Sequence, residues 1–260
     1  MNELERIVAR TRGEVAGRKA ARPQPQVEAA AAERLRSDGP RRFAAALRAP
    51  GLSVIAEHKR RSPSAGVIRE DVELEEVVGA YERGGARALS ILTERTGFGG
   101  TLDDLARARR AASLPILRKD FMVDEYQVFE AAAGGADAIL LIVAALTPDE
   151  LAELHGLANS LGLDVLVEVH DAAELAIAAQ LRPQIIGINN RDLTTLRVDL
   201  ERTFELRPGV PRGTVVVAES GLRTRADIDR VRAAGVDAVL IGESLMRAED
   251  MEAALRALLA

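Results

Sequence analysis

Gly134-Gly135-Ala136-Asp137-Ala138-Ile139-Leu140-Leu141-Ile142-Val143, followed by Thr147-Pro148-Asp149-Glu150, carries the reading of the fold. The glycine pair marks a helix end, because glycine adopts the left-handed conformation that stops a helix. The short apolar run after it suits a strand buried on both faces. Thr147 and Glu150 then form a capping box, which opens a new helix. Gly84-Gly85-Ala86-Arg87-Ala88-Leu89 and Ala234-Gly235-Val236-Asp237-Ala238-Val239 repeat the same helix-to-strand passage. Gly85, Gly135 and Gly235 lie 50 and then 100 residues apart, the spacing of two and then four β-α units.

Working outward, eight such apolar runs follow one another: Leu52–Ala56, Ala88–Leu92, Pro115–Leu117, Ala138–Val143, Val165–Val169, Ile185–Ile188, Val215–Ala218 and Ala238–Ile241. The segments between them carry helix-start chemistry. Asp171-Ala172-Ala173-Glu174 is a second capping box, and Asp199 and Thr224 occupy N-cap positions. Roughly 26 residues per unit is what a strand, a helix and two short loops need. Alternating units can also build an open doubly wound sheet, but no G-x-G-x-x-G follows the first run. Eight even units favour closure, so a (β/α)8 barrel of the TIM type is expected over residues 51–260. Residues 1–50 stand outside the repeat as an N-terminal helical extension. Leu4, Ile7, Val8 and Val15 give a helical stripe, Arg22-Pro23-Gln24-Pro25 breaks it, and Arg41–Arg48 suggests another short helix. Such an extension covers a barrel's mouth or plugs its base, and the sequence leaves both open.

At 260 residues, with 47% hydrophobic and 29% charged side chains, the chain buries a core without covalent staples. A net charge of −5 gives no electrostatic reason to expect nucleic acid or a membrane surface as partner. The absence of cysteine removes disulfides, thiol nucleophiles and thiolate metal sites. Met1 to Ala20 is charged throughout and no apolar run reaches spanning length, so a cytoplasmic location is expected. Of 35 cationic side chains only Lys19, Lys59 and Lys119 are lysine. An ammonium can release a proton near neutral pH and a guanidinium cannot. Lys59 and Lys119 are therefore candidates for proton chemistry, whereas Lys19, in the charged N-terminal helix, reads as chance retention.

In such barrels the site forms at the carboxyl ends of the strands. Side chains alternate along a strand, so Glu57 and Lys59 share one face at the end of the first. Lys119 is in phase with Pro115 and Leu117, and Glu168 with Leu166. Two carboxylates and two ammonium groups thus converge from three strands, with Glu219 close by. A solvated ring of ion pairs is the plainer alternative, but grouped acids and bases shift one another's pKa values as acid–base catalysis requires. The loops Ser220-Gly221 and Gly242-Glu243-Ser244 fall after strands seven and eight, where barrels bind phosphate through backbone N–H groups. His58 is out of phase and is expected to face the helices, His155 to lie on the surface, and His170 to cap the next helix or reach the rim. Phe98 and Phe121 suit either an aromatic pocket or plain loop packing. No cluster of His, Asp and Glu has metal-ligand spacing, so no metal is expected.

Several segments resemble the indole-3-glycerol-phosphate synthase family. They are Ile55-Ala56-Glu57-His58-Lys59-Arg60-Arg61-Ser62-Pro63-Ser64, Leu117-Arg118-Lys119-Asp120-Phe121, Leu166-Val167-Glu168-Val169-His170, Gly187-Ile188-Asn189-Asn190-Arg191-Asp192-Leu193, Ala218-Glu219-Ser220-Gly221 and Leu240-Ile241-Gly242-Glu243-Ser244-Leu245-Met246. The resemblance implies 1-(2-carboxyphenylamino)-1-deoxyribulose 5-phosphate as substrate, ring closure with loss of CO2 and water in tryptophan biosynthesis, and no cofactor. It implies Lys119 as general acid and Glu168 as acid–base partner. Glu57 and Lys59 would serve the dehydration and hold the carboxylate, and Asn189, Glu219 and Ser220 would orient the sugar and the acid–base groups. Ser62, Gly221, Gly242 and the Glu243 N–H would hold phosphate, with Arg191 and Phe121 lining the pocket and Phe98 a further lining residue. A monomer is expected, with other tryptophan-pathway enzymes as conceivable partners. His58 departs from the family's branched apolar residue. Thr96-Gly97 replaces a bulkier pair and is expected to loosen its loop. The competing readings are a sugar-phosphate isomerase, a Schiff-base aldolase using Lys59 or Lys119, and a non-catalytic barrel that binds a phosphorylated ligand.

Overall fold

The computed structural model describes residues 2–192 and 195–260; Leu193, the last residue of the sixth-strand motif, lies outside them. Eight parallel strands close into a barrel: β1 Ser53–His58, β2 Ala88–Leu92, β3 Ile116–Lys119, β4 Ala138–Ile142, β5 Asp164–Val169, β6 Ile185–Asn189, β7 Val215–Glu219 and β8 Ala238–Ile241. Each strand pairs with its sequence neighbours, and β1 closes the ring on β8. The two-residue period sorts the strand side chains into two cores. Val54, Ala56, Leu89, Ile91, Ile139, Leu141, Val167, Ile186 and Val216 pack outward against the helices. Ile55, Ala88, Leu117, Ala138, Leu140, Leu166, Ile185, Val217 and Leu240 fill the interior. Burial on both faces is why each run reads as continuously apolar.

The helices that alternate with the strands begin and end largely as the sequence indicates. Thr147 and Thr224 are N-caps in full capping boxes with Glu150 and Asp227. Asp171 caps its helix by accepting from Glu174 N–H, but the Glu174 carboxylate turns to the His170 N–H instead of closing the box. Asp199 is not an N-cap; Leu200 holds that position, and Asp199 accepts from Glu201 N–H one residue early. Gly85, Gly135 and Gly235 all have positive φ, which relieves the Cβ clash other residues would meet there.

The N-terminal segment forms α1 Glu3–Ala21, α2 Gln24–Ser37 and α3 Phe43–Leu47. It does both things an extension can do. Leu4 and Ile7 of α1 reach over the barrel mouth, where they join the cavity lining. Phe43, Ala44 and Leu47 of α3 are buried against the interior cluster that includes Ile185, Val215 and Ala238 at the strand starts, closing the base. Arg18–Glu130 and Lys19–Asp124, each 2.8 Å, tie α1 to the helix after β3, so Lys19 has a structural partner. Among the described residues no helix is long and apolar enough to cross a membrane.

Candidate active site

A cavity of about 440 Å³ opens at the carboxyl ends of the strands. Strand register builds its floor. Leu92 of β2 lies beside Lys119, Ile142 beside Glu168, Glu168 beside Gly187, and Asn189 beside Glu219. Every site residue expected from the sequence lines this cavity: Glu57, Lys59, Ser62, Phe98, Lys119, Phe121, Glu168, Asn189, Arg191, Glu219, Ser220, Gly221, Gly242 and Glu243.

Lys119 is the centre of the charge arrangement. Its Nζ is 3.1 Å from Glu168 Oε2 and 3.3 Å from Glu219 Oε2. Burial works against the ammonium, but the carboxylates of Glu168, Glu219 and Glu57 outweigh it and raise its pKa. The two glutamates are driven apart. Burial would raise Glu168, yet Lys119, His170 and the Asn189 amide hold it well below the usual carboxylate range. Burial raises Glu219, with Lys119 opposing and the like charges of Glu168 and Glu57 adding to the rise. One carboxylate is thus held ionised and its neighbour pushed toward its protonated form, on either side of one ammonium.

Across the barrel, Lys59 Nζ meets Glu57 Oε1 at 2.6 Å. Glu57 is steadied by the Ser90 hydroxyl at 3.4 Å and by the Tyr81 hydroxyl, which donates to the Glu57 carbonyl at 3.2 Å. Asn189 links the floor to the next loop: its Nδ2 donates to Glu168 Oε1 at 3.1 Å and its Oδ1 accepts from Arg191 N–H at 3.0 Å. The Arg191 guanidinium donates to the Leu196 carbonyl at 3.1 Å.

On the rim, Ser220 has φ 65 and Gly221 φ 83. A left-handed serine costs about 1 kcal/mol or more, and strain of this kind gathers at functional turns. The Asn190 amide donates to the Ser220 carbonyl at 3.1 Å and holds the turn. A Cβ on Gly242 would lie 2.6 Å from Glu57 Oε1, so only glycine permits that approach. Glu243 directs its carboxylate to Arg247 at 3.2 Å, which leaves its backbone N–H as the group available to an anion. Ser244 Oγ is buried at this rim with no hydrogen-bond partner among the described residues.

The histidines separate cleanly. His58 faces the helix layer, buried, and burial lowers its pKa to about 4. His155 is half-buried at the surface, its ring beside the Asn159 amide at 3.1 Å. His170 does not cap the next helix, a place taken by Asp171, and it does not line the cavity; its Nδ1 meets Glu174 of that helix and its Nε2 faces Glu168 beneath the site. Sequence reading missed Glu94. Its buried carboxylate accepts from the N–H groups of Thr96, Gly97 and Phe98 and pairs with Arg10 of α1 at 2.8 Å. The loop carrying Phe98 is therefore tied down rather than loosened by Thr96-Gly97. Among the described residues no group of three or more His, Asp and Glu is arranged to hold a metal ion.

Comparison with known proteins points one way. The family model described as indole-3-glycerol phosphate synthase matches residues 4–258. An indole-3-glycerol phosphate synthase of Aromatoleum aromaticum is 50% identical over 259 residues, 98% of each chain. Indole-3-glycerol phosphate synthase 2 of Streptomyces coelicolor is 49% identical over 247 residues, 95% of each chain. Among solved structures, thiamine phosphate pyrophosphorylase from Pyrococcus furiosus superposes with TM-score 0.59 at 22% identity, over 80% of this chain and 93% of that one. A tryptophan synthase α-subunit from the same organism gives 0.62 at 16% identity, over 80% and 97%. At such identities these two show the barrel alone.

Proposed function

The chain belongs to the indole-3-glycerol phosphate synthase family, and from that premise we propose how its residues divide the reaction. The enzyme closes the indole ring of 1-(2-carboxyphenylamino)-1-deoxyribulose 5-phosphate, with loss of CO2 and water, in tryptophan biosynthesis. In this reading the phosphate sits at the Ser62, Gly221, Gly242 and Glu243 N–H rim, and the carboxyphenyl ring lies against Phe98 and Phe121. The ring carbon bearing the carboxylate attacks the ribulose carbonyl carbon while the Lys119 ammonium gives a proton to the carbonyl oxygen. CO2 then departs and its bonding electrons return to the ring. In the dehydration the hydroxyl leaves with a proton as water, and the proton next to nitrogen is removed. Glu168 is the acid–base partner at nitrogen, and Glu57 with Lys59 serves the dehydration and the substrate carboxylate. Asn189, Glu219 and Ser220 orient these groups and the sugar, and Arg191 lines the substrate pocket.

The observation that carries this division is Lys119 clamped between a carboxylate held ionised and one pushed toward its protonated form. A lysine kept as an ammonium holds a proton at the site and is unsuited to Schiff-base attack. The test is fluorescence-monitored conversion of the substrate to the indole product. Lys119→Ala and Glu168→Gln are each expected to lower kcat by about 100-fold or more, the scale of a general acid–base step. Near-normal rates in either variant would remove that residue from its role.

We read residues 51–260 as the catalytic barrel and residues 1–50 as its cover and plug, one domain in all. We propose that the chain works as a monomer, with other tryptophan-pathway enzymes as conceivable partners. A cytoplasmic location fits a biosynthetic enzyme of this kind.

A further inference from the structure

We infer that His170, clamped by Glu174, is a positioning residue for ring closure: it sets the protonation and the orientation of Glu168. The inference rests on the reading of Glu168 as the acid–base group.

His170 follows β5 directly and is nearly buried. Its backbone N–H donates to Glu174 Oε2 at 2.7 Å, and its ring Nδ1 lies 3.0 Å from that same oxygen. Glu174, in the first turn of the helix Ala172–Gln180, therefore fixes both the main chain and the ring. Because a carboxylate oxygen accepts there, Nδ1 carries a proton. Nε2, on the other side of the ring, faces Glu168 Oε1 at 3.3 Å, a contact that is ionic rather than a directed hydrogen bond. With Nδ1 already protonated, a neutral ring would turn a lone pair toward a carboxylate oxygen. The arrangement is attractive only with a second proton, on Nε2 or on Glu168.

The surrounding groups decide where that proton resides. Lys119 of β3 meets Glu168 Oε2 at 3.1 Å, and Asn189 of β6 donates to Oε1 at 3.1 Å. Both favour the ionised carboxylate. Glu219 of β7 and Glu57 of β1 are the remaining carboxylates acting on this cluster: both favour the Lys119 ammonium, and the direct repulsion between Glu168 and Glu219 is met by the rise of Glu219 toward its protonated form. The second proton therefore belongs on the imidazole. Burial opposes this, but Glu168 and Glu174 together override it and raise the ring's pKa to about 10. Asn189 and His170 engage one oxygen of Glu168 and Lys119 the other, so the carboxylate cannot rotate away from the ammonium it works beside.

Steady-state kinetics across about pH 3 to pH 9, with folding checked at each pH, on wild type, His170→Gln and Glu174→Gln tests this. Glutamine at 170 keeps a neutral donor and loses the cation. For His170→Gln we expect kcat to fall about 10-fold, KM to stay within about threefold, and the acid limb of kcat/KM to move up by about one pH unit. Glu174→Gln is expected to move the limb in the same direction by less. A purely structural cap would lower the melting temperature without moving the limb, and that result overturns the inference. If His170→Gln does not fold, an unmoved limb in Glu174→Gln overturns it equally. An inactive wild-type enzyme would overturn the reaction assignment, whereas an active one with unmoved limbs overturns only the role of His170.

Discussion

Gly187 and Glu219 show how much a site depends on what a residue lacks. Gly187 points into the barrel from β6, and a Cβ there would overlap Glu219 Oε1, which is buried without a hydrogen-bond partner among the described residues. Glycine leaves the space in which the Glu219 carboxyl lies against Lys119. We expect Gly187→Ala to displace Glu219, lowering kcat by about 10-fold or more while costing about 1–3 kcal/mol in stability; unchanged turnover would show that Glu219 need not lie there. Lys119, Glu168, Glu57 and Lys59 were legible in the sequence because strand parity assigns a side to each. The functions of Gly187, Glu94 and His170 were not, because each depends on a residue from another element.

At the scale of elements, the apolar runs located all eight strands but stopped short at the carboxyl ends of β1, β3, β6 and β7. Glu57, His58, Arg118, Lys119, Asn189 and Glu219 all belong to strands. Apolarity signals burial, whereas the hydrogen-bond ladder continues through buried polar residues as long as a neighbouring strand accompanies it. Loops were less readable. Thr96-Gly97 suggested slackness, yet Glu94 gathers three backbone N–H groups of that loop and Arg10 fastens it to α1. Removing the carboxylate leaves those donors and the guanidinium without their acceptor and frees Phe98 to leave the cavity wall. For Glu94→Ala we expect KM to rise about 10-fold with kcat within about threefold, the mark of lost substrate binding rather than lost chemistry. A fall in kcat at unchanged KM would instead place Glu94 in the chemical steps.

For the whole molecule, pH dependence of stability offers a test through His58. Folding buries this imidazole against the helix layer, so it stays neutral down to about pH 4 while the unfolded chain takes up a proton near 6.5. Between those values the unfolded state binds more protons, so stability is lost as pH falls through that window and is unaffected by His58 above it. His58→Ile is therefore expected to gain in melting temperature over wild type increasingly as pH drops from about 6.5 to about 4; a difference independent of pH would contradict the buried neutral ring. The sequence by itself determined the repeat, the closure into a barrel, the mouth at which polar residues gather and the lysines and glutamates that face it. Those features follow from period and burial, which are properties of one segment at a time. Only the tertiary structure decided that α1 roofs the mouth while α3 fills the base, that Glu168 and Glu219 hold protons differently, and that His170, just before the next helix, turns its ring to Glu168. Such outcomes arise from charges and contacts between segments far apart in the chain, whose distances no local pattern encodes.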